Sequence, residues 1–139
     1  MTQANVDGSC LCGAVKYQVS GEILRFHHCH CQRCRKVTGT GHASNLLVTP
    51  MKSITWLQGE ALLAKYKVPD AERFYNCFCK QCGSPMPRVI PELDAVLLPA
   101  GSLDNEPPIP PQGHIFWDSR ANWSCEAGDS PHYAEYPTE

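Results

Sequence analysis

The segment His28–Arg35, HCHCQRCR, places Cys29, Cys31 and Cys34 within six positions. Thiolates are zinc ligands. A structural zinc takes four protein ligands, whereas a catalytic zinc takes three and keeps one position for water or substrate. Two more groups accompany this one: Cys10 and Cys12 in SCLCG, and Cys77, Cys79 and Cys82 in CFCKQCGSP. Cys-x-x-Cys-Gly is a zinc-knuckle turn, in which backbone N–H groups point at the sulfurs and Gly83 supplies left-handed backbone. A knuckle provides two of four ligands, and Cys10/Cys12 is its natural complement. The arithmetic gives one four-cysteine site (Cys10, Cys12, Cys79, Cys82) and one three-cysteine site (Cys29, Cys31, Cys34). The fourth position of the second site stays open to Cys77 or to one of His27, His28, His30, His42 and His114. In extended backbone, however, His30 points away from the ligands on either side of it. Cys77 and Cys125 otherwise read as small buried hydrophobes.

Disulfides are the competing use of nine cysteines in 139 residues. Bridges within pairs this close would be strained, while a metal accepts both members of a pair readily. The N-terminus lacks the basic and apolar regions of a secretory signal, and no apolar run is long enough to span a bilayer. A cytoplasmic protein with no membrane partner is the expectation.

Arg33, Arg35 and Lys36 directly follow the ligands and could hold a substrate carboxylate or phosphate. His42 and His114 are candidate proton carriers, although each taken alone reads as an ordinary structural or surface histidine. Phe26, Trp56, Tyr66 and Phe116 fit strand faces of a core. Trp117 and Trp123 are also expected to pack.

The elements that must position these residues are mostly strands. AVKYQVSG alternates and is rich in β-branched and aromatic residues. ILRFHHCHC reads as a second strand, with a turn at or near Gly21. CQRCRKVTGT is the best short helix, ending at Gly39. HASNLLVTP, SITWLQG, LAKYKVP, RFYNCFC, AVLLPAGSL and HIFWD read as further strands. EPPIPPQG, with four prolines in five positions, is excluded from a central strand, and PHYAEYPTE reads as a loose tail. Many short strands in a chain of this length imply one mainly β domain over residues 1–139, sandwich- or barrel-like. A net charge of −2 with a single dense basic cluster argues against a nucleic-acid partner.

GSCLCGAVKYQV, CHCQRCRKVTG, FCKQCGSP, AGSLD and HIF, in this order from Gly8 to about Trp123, resemble the glutathione-dependent formaldehyde-activating enzyme family, which includes centromere protein V. The resemblance implies a β-tent zinc fold built of antiparallel sheets. It implies a structural zinc on Cys10, Cys12, Cys79 and Cys82 and a second, catalytic zinc on Cys29, Cys31 and Cys34, with Arg35 and Lys36 in the same pattern. Two zinc ions per chain follow. The implied activity is that of a carbon–sulfur lyase acting on a small thiol–aldehyde adduct such as S-hydroxymethylglutathione, with glutathione and formaldehyde as the partners. Cys77 is not part of the family pattern. Two other classes compete: a non-enzymatic zinc module that binds a protein or nucleic acid, and a redox or metal sensor using the Cys29 group. The oligomeric state is left open.

Overall fold

A computed structural model describes residues 2–124 and 130–137. Cys125 lies outside the described residues. The strands are β1 (Thr2–Ser9), β2 (Lys16–Cys29), β3 (Ala43–Thr49), β4 (Ile54–Gln58), β5 (Leu63–Lys67), β6 (Tyr75–Cys79), β7 (Arg88–Ile90), β8 (Ala95–Pro99) and β9 (Gly113–Ile115), and the α-helix is α1 (Gln32–Thr38). The mainly β, antiparallel reading holds, with one exception: β9 runs parallel to β2. Among the described residues no helix is long and apolar enough to cross a membrane.

The 14-residue β2 organises the sheet. One edge pairs first with β1 and, further along, with β9; the opposite edge pairs with β4 and then β3. β8 continues from β3, and β7 from β8. β5 and β6 form a separate hairpin sheet. The turn expected at Gly21 does not exist, because β2 runs straight through it. Gly21 is needed for a different reason: a Cβ there would lie 2.5 Å from the Thr49 carbonyl oxygen. Glycine inside a strand can mark close backbone approach as well as a bend.

The register between β2 and β3 slips once, between Ile23 and Arg25, leaving Leu24 as an extra residue. Such a bulge shifts the alternation of side chains by one. Before it, Tyr17, Val19 and Ile23 face the core; after it, Phe26 does. Arg25, His27 and Cys29 are thereby sent to the opposite face. The bulge is thus the device that delivers the first ligand of the three-cysteine group to a face outside the main core.

That core joins β1, β2, β3 and β8 through Ala4, Val6, Tyr17, Phe26, Leu46, Val48, Val96 and Leu98. β1 escaped the sequence reading because only Ala4 and Val6 break a polar run. Phe26 and Trp56 pack as expected, but Tyr66, Phe116 and Trp123 do not: they are 59%, 62% and 71% exposed. Tyr66 lies on the small two-stranded sheet, which leaves its outer face to solvent.

Candidate metal centres

The four-cysteine group closes as the spacing implies. Sγ atoms of Cys10, Cys12, Cys79 and Cys82 all lie within 4.8 Å of one another. Cys10–Cys12 and Cys12–Cys79 sulfurs are 3.6 and 3.9 Å apart. These distances are far beyond a disulfide and bracket the edge of about 3.8 Å that a tetrahedron with zinc–sulfur bonds of about 2.3 Å requires. The backbone N–H of Val15 donates to Cys10 Sγ at 3.3 Å, and the Gln81 side-chain amide donates to Cys12 Sγ at 3.4 Å. Gly83 is left-handed at φ 79°, and its N–H closes the knuckle onto the Cys79 carbonyl. Ser84, through its hydroxyl and backbone, draws the Cys82 thiol down to about 5. The residues fit a closed four-thiolate zinc.

Cys29, Cys31 and Cys34 also converge within 4.8 Å, and among the described residues no fourth His, Cys, Asp or Glu joins them. Cys29 ends β2, Cys31 caps α1, and Cys34 lies one turn inside the helix. Cys31 Sγ accepts the backbone N–H of Cys34 at 3.4 Å, in the place usually taken by a serine or aspartate oxygen. The Cys29 and Cys34 thiols donate to Cys31 and push it down to about 2, while both of them are pushed up in return. Three sulfurs packed this closely suit a shared cation. The donor chemistry fits zinc bound by three thiolates.

A cavity of about 520 Å³ opens beside this second group. Its floor is the sheet face that the Leu24 bulge selects. Arg25, Leu47, Leu97 and Arg88 are partners in register across β2, β3, β8 and β7, and form one transverse row. Phe74, Ile115 and Phe116 add apolar walls, and Arg33 joins from α1. Among the described residues no carboxylate lines it. Arg88 stacks over Phe74 at 4.8 Å and Arg33 faces the same ring at 5.9 Å.

The opposite side of β2, β3 and β9 carries the histidines. His30 is fully buried, and its Nε2 pairs with His114 Nδ1 at 2.8 Å. His28 Nδ1 meets the Ser44 hydroxyl at 2.9 Å, and the His28 and His42 rings are 4.2 Å apart. Burial, then the neighbouring imidazoles, lowers His28 to about 4. His28, His30, His42 and His114 therefore form a contact group of their own and leave the three-cysteine set alone.

Residues 5–119 match the family described as glutathione-dependent formaldehyde-activating enzyme. The chain belongs to this family. A Halomonas elongata protein, provisionally named as a glutathione-dependent formaldehyde-activating enzyme, is 29% identical over 96% of this chain and 90% of its own. In fold, a crystal structure of a Rhodobacter sphaeroides protein is similar with a TM-score of 0.54 and 23% identity, covering 73% of this chain and 91% of that one.

Within the formaldehyde-activating family pattern, both cysteine divisions are assembled in space. Cys77 is a buried thiol, 3% exposed, outside either set. Arg35 is half-buried and Lys36 exposed, and neither lines the cavity; Arg33 does. Arg35 Nε is buried without a hydrogen-bond partner among the described residues, and the Arg35 charge acts on His30. Arg25, Arg88 and Phe74 carry no motif signal in the sequence, and His27 enters there only as a possible fourth ligand. Arg25, Arg88 and Phe74 are brought to one cavity by strand register and the approach of separate segments, and His27 by the face that the bulge selects.

Proposed function

We propose that this protein is a zinc-dependent carbon–sulfur lyase acting on a thiol–aldehyde adduct of the S-hydroxymethylglutathione type. The observation that carries the reading is the three-thiol group at the wall of a cavity large enough for a small molecule. Family membership points to glutathione and formaldehyde as the pair. In the synthetic direction the thiol sulfur bonds to the carbonyl carbon, the π pair moves to oxygen, and that oxygen takes the thiol's proton. The reverse breaks the same carbon–sulfur bond.

Cys29, Cys31 and Cys34 hold the catalytic zinc, and Cys10, Cys12, Cys79 and Cys82 hold the structural one. A three-thiolate zinc supplies Lewis acidity and lowers the pKa of a thiol that joins it. Phe74, Ile115 and Phe116 shield the reacting atoms from bulk water. His27, whose Nδ1 is buried without a partner among the described residues, lines the cavity and is available to hydrogen-bond the adduct's hydroxyl. Arg35 and Lys36, members of the family pattern, steer anions from outside the cavity. Residues 1–139 act as one zinc-binding unit in the cytoplasm.

Cobalt substitution tests this reading. Thiolate-to-cobalt absorption grows with each added sulfur, so glutathione or 2-mercaptoethanol should raise the band of a protein loaded with two metals. A band indifferent to every thiol means the position is filled from within, and the non-enzymatic binding module becomes the better reading.

A further inference from the structure

The cavity carries cations that the cysteine motifs do not explain. Arg25 and Arg88 stand at the two ends of the transverse row, with Leu47 and Leu97 between them. Three strand spacings separate their Cα atoms by about 14 Å. Arg33 adds a third cation on the helix side. The ion pair formed among the described residues is Arg73–Glu72 at the surface, and it includes none of these three. Glu72 and Glu92 border a neighbouring groove that also touches Arg88, yet neither pairs with it. Arg88 is instead oriented by the Phe74 and Tyr75 rings, at 4.8 and 5.5 Å. Three guanidinium groups around an apolar floor, with no carboxylate among the described residues to neutralise them, constitute a receptor for anions.

We propose that Arg25 and Arg88, assisted by Arg33, select the thiol by its charge and span: a peptide-sized thiol lies across the Leu47–Leu97 floor with one carboxylate toward each end of the row. An extended tripeptide covers about 10 Å, and the reach of two arginine side chains closes the remainder. The sulfur meets the cysteine group because Cys29 lies on the same face of β2 as Arg25, four residues along, or about 13 Å. A guanidinium binds a carboxylate through two parallel hydrogen bonds, which lysine cannot imitate. Small uncharged thiols use none of these contacts. The assignment rests on the catalytic reading of the three-cysteine site, but its residues are distinct from the zinc ligands and can fail separately.

The test uses S-methylglutathione, which keeps both carboxylates but has no ionisable thiol, and its diester, which has lost both charges. Binding to the zinc-loaded protein is followed by calorimetry for wild type, Arg25→Gln and Arg88→Gln, with metal content and melting temperature as controls for folding. Wild type should bind the diacid about 10- to 100-fold more tightly than the diester. Each variant should lose about tenfold or more for the diacid and nothing for the diester. Arg25 is exposed, so its variant stays informative even if loss of the Arg88 stack disturbs Phe74. Equal affinity for diacid and diester, or variants that bind the diacid like wild type, overturns the proposal. Arginine-dependent diacid binding in a protein whose cobalt band ignores every thiol sustains it and rejects the lyase reading instead.

Discussion

The two cysteine groups present the same donor atoms in different relations to the chain. Cys10 and Cys12 meet Cys79 and Cys82 across 67 residues of sequence, and Cys10 and Cys79 belong to the main core. Cys29, Cys31 and Cys34 lie within six residues at one strand–helix junction and pack in a small cluster with Ala43, Phe74 and Ile115. The first group ties distant segments together, so the binding free energy of a metal held there would also be folding free energy. The second closes almost no loop, because α1 and the end of β2 already hold its members near one another. It can release or exchange a ligand without releasing the fold. The proposed cross-link and the proposed reaction centre thus differ in topology before any difference in ligand number.

The sharpest way to break this contrast is Cys79→Ser. Structural zinc contributes on the order of 10 kcal/mol or more, as much as the whole stability of most domains, about 5–15 kcal/mol. The variant should be insoluble or lack a cooperative melt. A soluble Cys79→Ser protein with an unchanged melting temperature would remove the cross-link role.

The next test concerns the second centre. Cys34→Ser should abolish activity and halve the metal content while the protein still melts cooperatively, within several degrees of wild type. Stepwise chelation of wild type should likewise strip one zinc well before the other. Joint loss of both metals with unfolding would show that the two groups do not differ as described.

A smaller effect sharpens the picture of the core behind the four-cysteine site. Tyr17 is fully buried, with its hydroxyl 2.6 Å from that of Ser102, and burial pushes it up to about 12. In the unfolded chain it ionises near pH 10. Its stabilising contribution is therefore complete below pH 10 and is lost as pH rises through 12, by about 2–3 kcal/mol. Chemical denaturation across that range should show the decline, and Tyr17→Phe should flatten it. The smallest expected change is Cys77→Ala: about 1 kcal/mol of lost packing, with both metals retained by elemental analysis. A lost metal would make Cys77 a ligand.

The cysteine divisions were legible because ligand spacing is local information, and Cys-x-x-Cys-Gly and Cys-x-Cys dictate their own turns. Helix α1 was legible for the same reason, with Gly39 left-handed at its end. What escaped depended on distant neighbours. Gly21 resembles a turn until the Thr49 carbonyl is placed against it. The Arg25–Arg88 row exists only once four strands are in register, since β7 and β8 lie far beyond β2 in the chain. Phe116 looks like a core residue by type, yet it stands left-handed at φ 54° on the cavity wall.

The Leu24 bulge makes the site unusually sensitive to the count of residues as opposed to their kind. Leu24 is 40% exposed, so exchanging it for another side chain should cost little. Removing it is a different operation. Every later position of β2 would change sides, turning Cys29 toward the main core and His28 toward the cavity. In a scan of all substitutions and single-codon deletions, this position should therefore show one of the widest gaps between the two kinds of change. Length variation among homologues should avoid the stretch from Ile23 to Cys29, even where residue identity there drifts freely.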